Sequence, residues 1–271
     1  MQPVNSPGID GHVAGDTAQL VAVLITSVVA LAAVTAVVVW ARRQRIWWPY
    51  VVVVTGGLTC FMEPMFDHYF GLWFFEQGQW NAFVTYGIHV PVWLPIVYVA
   101  YYGCWTIWLI NRWRRGATPQ DVAKLYLVSV ALAATAEIFY INLVRLYNYQ
   151  DHQPFLVAGY PPWIAFVNGV PPFLASLVFY KLIPLLRGWE HVAIVVVTPM
   201  CFAVDSFGGT TFYLAVRHGS EDPNMWLLRA LAIVAMFGSY ELIKLAARLT
   251  LGSGSPPAAA AGSESKTAVH A

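Results

Sequence analysis

Apolar runs long enough to cross a hydrocarbon layer, about 20 residues each, recur along the chain near 17–41, 46–66, 87–110, 122–147, 162–186, 191–215 and 224–248. Short polar stretches separate them. Backbone groups in lipid must be satisfied within their own segment, and the strict alternation of a barrel strand is absent, so each run is expected to be a helix. The predicted fold class is an all-α polytopic membrane bundle of about seven transmembrane helices. The first run is too long for a secretion signal, and Asp10 and Asp16 precede it without any Lys or Arg, so it reads as a retained span. The expected organisation is an extracytoplasmic segment 1–16, a membrane domain 17–250 and a disordered tail 251–271 rich in Gly, Ser, Pro and Ala.

The basic residues divide unevenly between alternate connections. Arg42, Arg43 and Arg45 follow span one; Arg112, Arg114, Arg115 and Lys124 lie between spans three and four; Lys181 and Arg187 end span five; Lys244, Arg248 and Lys266 follow span seven. Arg145, Arg217 and Arg229 belong to the opposite side. By the positive-inside rule the N-terminus is expected outside and the C-terminus in the cytoplasm of a multi-pass cell-membrane protein, with a bacterial inner membrane the expected location.

Composition agrees with this pattern. Of 271 residues 58% are apolar and 11% charged, too few charges to cover a soluble surface, and the net charge of +1 argues against nucleic acid as a partner. Cys60, Cys104 and Cys201 lie in apolar runs with no zinc-type spacing and read as small core residues. No metal or other cofactor is implied, and the sequence does not fix an oligomeric state.

Ionisable groups in the outer halves of the spans are harder to dismiss, because a charge in hydrocarbon costs several kcal/mol unless it meets a partner or a wet cavity. Glu63 and Asp67, four residues apart, share a helical face near the end of span two. His68 and His89 lie at a similar depth. Glu137, Asn142 and Arg145 sit on span four, Asn168 on span five and Asp205 on span six. Each has a structural alternative. Glu137 can pair with Arg145 or another arginine; Asp205, before Ser206, Phe207, Gly208 and Gly209, can cap a glycine-broken helix; Glu63-Pro64 can end a helix; His89, beside Pro91, can be a structural histidine. The aromatics of 61–80 and 147–163 can be an interfacial belt.

The convergence of carboxylates, an amide and imidazoles at one level nevertheless suits acid–base chemistry on a lipophilic substrate. Glu63, Asp67, Glu137 and Asp205 are the proton-transfer candidates, His89 and Arg145 the groups that orient or stabilise charge, and His68, Trp73, Tyr140, Asn142, Asn168 and Phe207 the binding candidates. The carboxylates of Glu63, Glu137 and Asp205 are expected to line one outward-opening cavity, walled by Trp73, Tyr140 and Phe207. Zinc-protease, nucleophile-elbow and Walker motifs are absent. Lys244 lies too near the cytoplasmic end for a mid-membrane retinal Schiff base. Glu63-x-x-x-Asp67 offers magnesium and a diphosphate only one acidic motif. Buried carboxylates also serve proton-coupled carriers, although no internal repeat of the carrier kind is visible.

The segment EPMFDHYFGLWFFEQGQW (63–80) followed by YGIHVPVWLPIVYVAYYG (86–103) resembles the actinobacterial AveC-type spirocyclase family of multi-span membrane proteins. That family typically carries an acidic residue before Pro at the end of span two, often Asp, where this chain has Glu63-Pro64. The resemblance implies dehydration and spiroketal formation on a polyketide-like substrate and supplies no catalytic residues. A more distant likeness, to the membrane hydratases of carotenoid synthesis, implies similar acid chemistry on an isoprenoid.

Overall fold

The computed structural model describes residues 12–150 and 152–252. The first eleven residues, with Asp10, and residues 253–271, with Lys266, lie outside the described residues; of the tail expected from 251, Leu251 is instead the last residue of a helix. Among the described residues seven helices are long and apolar enough to cross a membrane: α1 (Asp16–Gln44), α2 (Trp48–Phe70), α3 (Trp93–Arg114), α4 (Pro119–Val144), α5 (Trp163–Leu185), α6 (Gly188–Gly209) and, after the short α7 (Thr211–Arg217), α8 (Met225–Leu251).

Helix α5 is the centre of the bundle, packing on α3, α4, α6 and α8. Its most apolar stretch is 72% buried, against 22% for α1 and 17% for α4, which turn their side chains outward as lipid-facing helices do. Pro171 and Pro172 lie within α5 and remove the i−4 donors to the carbonyls of Val167 and Asn168; the Tyr101 hydroxyl donates to the second of these at 3.3 Å. Trp113 of α3 donates to Ser176 of α5 at 2.8 Å.

Helices α2 and α3 meet backbone to backbone. A Cβ on Gly56 would collide with the backbone of Gly103, and one on Gly103 would lie 2.9 Å from Val53 Cα. Small residues permit such approach where no hydrophobic force joins helices in lipid. Gly56→Val is therefore expected to lower the unfolding free energy by about 1–3 kcal/mol, measured by thermal denaturation in detergent; an unchanged melting curve would show that the helices separate there freely.

Three spans change to π winding in part of their length: 99–105 in α3, 140–144 in α4 and 204–209 in α6. Each inserts a residue into the helical register, a feature frequent at functional sites.

Short strands cover the end of the bundle opposite most of the basic residues. β1 (Leu72–Phe74) pairs antiparallel with β4 (Tyr147–Tyr149), joining the connections after α2 and α4. β2 (Asn81–Thr85) and β3 (Ile88–Pro91) form a hairpin whose turn, Tyr86-Gly87, has both φ angles positive, as its tight two-residue connection requires. The third span consequently begins at Trp93 and not at 87. The apolar run from 88 onward is strand first and helix afterwards, a distinction that hydrophobicity alone does not make. Span two, expected to end at 66, continues to Phe70 and stops where Gly71 takes φ +69. Span four begins at the Thr118–Asp121 capping box and ends before Arg145, which is itself left-handed.

At the opposite end, the guanidinium of Arg114 lies 5.2 Å from the Trp48 ring centroid and the Trp47 ring 4.4 Å from that of His191. The end of α3 and the starts of α2 and α6 therefore share one level, which carries the arginine-rich connections.

Candidate active site

A cavity of about 480 Å³ lies beneath the β1–β4 pair. Leu72, Phe74 and Tyr147 form its roof, α1, α3 and α4 its walls, and Glu63 and Asn168 reach it from α2 and α5. Its mouth is on the flank of the bundle: Ile25 and Leu132, which line it from α1 and α4, are also exposed on the outside. Helix α1 meets α4 at the 140–144 segment, so the opening below that level is lateral.

Two carboxyl groups line this cavity. Glu63 is buried at the start of the last two turns of α2, and its Oε2 accepts a hydrogen bond from the Tyr98 hydroxyl of α3. Glu137, on the last α-helical turn of α4, accepts from the Tyr147 hydroxyl at 2.7 Å through Oε2. Tyr147 stands outside the spans. Burial first, and the neighbouring Glu137 second, hold its phenol well above the usual tyrosine range, so it remains a donor. Among the described residues no cation lines the cavity. Two carboxyl groups in an apolar enclosure can serve as proton donor and acceptor when one is protonated and the other ionised.

The remaining surface is largely aromatic. Trp93 stacks on Tyr140 with centroids 5.1 Å apart and lies 5.9 Å from Tyr147, while Phe74 meets the edges of both Trp93 and Tyr147. Tyr101 and Tyr102 add two more phenols, and the Tyr101 hydroxyl reaches the Asn168 carbonyl at 3.3 Å. Aromatic faces of this kind stabilise a cation held against them.

Of the residues singled out in the sequence, the cavity unites Glu63, Glu137, Tyr140 and Asn168. Asp67, one turn beyond Glu63, is fully buried with Glu63 as its polar neighbour and does not line the cavity. Asp205 lies elsewhere in the bundle, buried in the π segment of α6, where its Oδ1 accepts from Ser239 of α8 at 3.3 Å. A side chain on Gly209 would press on that carboxylate at 3.0 Å, so the glycine makes room for it.

The others also stand apart. His89 is on the hairpin, with Nδ1 2.9 Å from the Asn81 amide. Arg145 is exposed and forms no ion pair with Glu137 among the described residues. Asn142 donates to the carbonyls of Ile138 and Ala158, both at 2.8 Å, and ties α4 to the following connection. His68 stacks at 6.3 Å on His218, Trp73 is buried in β1, and Phe207 meets the Tyr69 ring at 5.7 Å.

The phenols were the residues that the polar pattern passed over. Tyr98, Tyr101 and Tyr102 have i, i+3, i+4 spacing on one helical face, a polar stripe inside a span and therefore a detectable signal. Tyr147 carries no such signal, because only the β1–β4 pairing brings it back over Glu137.

Searches with this chain match no family model, no characterised protein and no solved structure.

Proposed function

We propose that the chain is a membrane-embedded enzyme that uses Glu63 and Glu137 for acid–base chemistry on a lipophilic polyketide-like or isoprenoid substrate, dehydrating, hydrating or cyclising it in the manner of a spirocyclase. The carrying observation is the cavity itself: two carboxyl groups, each held by a phenol, in an aromatic chamber that opens sideways. One carboxyl group donates a proton to a substrate oxygen, water leaves, and the resulting cation lies against Trp93, Tyr140 and Tyr147. The other carboxylate removes a proton, from the adjacent carbon in dehydration or from an attacking hydroxyl in ring closure. On this reading the N-terminus is outside and the arginine-rich end cytoplasmic, so the chamber lies in the outer half of the bilayer.

A lipid extract from a strain lacking the gene, incubated with purified protein, should lose an accumulated precursor. Unchanged lipid and polyketide profiles in that strain would remove the enzymatic reading. Flux of a solute through proteoliposomes, dependent on Glu137, would replace it with transport. The aromatic chamber makes its own prediction: Trp93→Leu should lower kcat by about tenfold or more, as loss of a desolvated cation–π contact does, while Trp93→Phe retains most of it. Equal losses in both variants would show that the ring only fills space. Asp205→Asn should leave turnover within about twofold, since a group remote from the reacting atoms contributes little to the chemical step; a loss as large as that at Glu137 would place Asp205 in the reaction.

A further inference from the structure

A second cavity, of about 470 Å³, continues the first toward the arginine-rich end. Val29, Ala100 and Trp105 line both, so the two adjoin along a passage between α1 and α3. Helix α1 packs on residues 93–105 of α3, where the passage meets the carboxyl groups, and the groove continues along Ala33 and Ala36, whose small side chains leave it open. From Ala100 to Arg115 it runs for fifteen helical residues, about 22 Å at the usual rise. Its polar groups lie at its ends. Asn111, Arg112 and Arg115 stand at one and the Glu63–Glu137 chamber at the other, and the wall between them is apolar. Neither arginine forms an ion pair within 4 Å among the described residues.

We infer that this passage binds a single-chain amphiphile with an acidic group at Arg112 and Arg115 and an oxygen function at its far end, between Glu63 and Glu137. This substrate class rests on the catalytic reading above. Charge complementarity selects the acidic group, since guanidinium–carboxylate pairs are among the stronger polar contacts. Polarity at the other end selects against an ordinary bilayer phospholipid. With its headgroup on the arginines, a phospholipid would bring an inert methyl terminus into a chamber lined by carboxyl groups, phenols and Asn168, and would offer them no hydrogen bond beyond those they already make with one another.

The test uses full-length protein in phosphatidylcholine nanodiscs and three probes, 16-hydroxyhexadecanoate, hexadecanoate and 1-hexadecanol, competing against radiolabelled hexadecanoate. The hydroxy acid should bind about tenfold more tightly than either of the others, the expected worth of one good charged or buried polar contact. Replacing both arginines, Arg112→Gln with Arg115→Gln, should abolish the preference for acid over alcohol. Glu63→Gln with Glu137→Gln should alter only the preference between the two acids, and Ala36→Trp should weaken all three probes without changing thermal stability. Indifference to the arginines, or displacement of the probe by phosphatidylglycerol at equal concentration, would overturn the proposal. If the arginine preference holds while the glutamine variants turn over natural precursor normally, the catalytic reading fails and the groove stands.

Discussion

Glu137→Gln is expected to lower turnover of the accumulated precursor by about 10²–10⁴-fold, the usual worth of a positioned general acid or base. Glu63→Gln should cost a similar amount. The double variant should be little worse than either single one, because groups that act on one proton path form a unit and their losses do not add. Tyr147→Phe leaves the carboxyl group and removes only its donor, so about tenfold is expected, in line with one buried hydrogen bond. Single-turnover assays on variants with matched melting temperatures separate these effects from folding. Additive losses in the double variant would mean that Glu63 and Glu137 serve separate sites.

The second large effect concerns access. Ala133 of α4 lines the chamber beside Leu132, at the lateral mouth. Ala133→Trp is expected to lower kcat/KM by about 100-fold, the loss that a displacement of about 1 Å causes in a positioned substrate. It should spare the fold, because α4 turns much of this surface outward. Ala131→Trp, on the exposed surface of the same helix and outside the cavity lining, is the control. Equal activity in the two variants would show that substrate reaches the carboxyl groups by another route.

The spans were legible because lipid imposes a length and a composition that a sequence cannot disguise, and the end-to-end division of arginines was legible for a related reason. Glu63 and Glu137 stood out as carboxyl groups where charge is expensive. The relation between groups was less accessible. Helical-wheel reasoning places Glu137 and Arg145 within reach of each other, but the π winding of 140–144 changes the register between them, and Arg145 leaves the helix in a left-handed conformation. The same register change at 204–209 and the packing of α6 on α5 and α8 send Asp205 to Ser239 rather than to the chamber. The 81–91 hairpin hid in an apolar run, and Tyr147 reaches Glu137 only through a strand pairing between two distant connections.

The central claim, that Glu63 and Glu137 share one lipid-accessible chamber, is tested most directly by covalent labelling with dicyclohexylcarbodiimide, a lipophilic reagent for protonated carboxyl groups. Intact mass and peptide mapping of protein in nanodiscs should give one adduct per chain, distributed between Glu63 and Glu137, and Glu63→Gln should move it wholly to Glu137. Labelling of both residues in the same molecule, or of Asp205 with neither glutamate modified, would contradict the account.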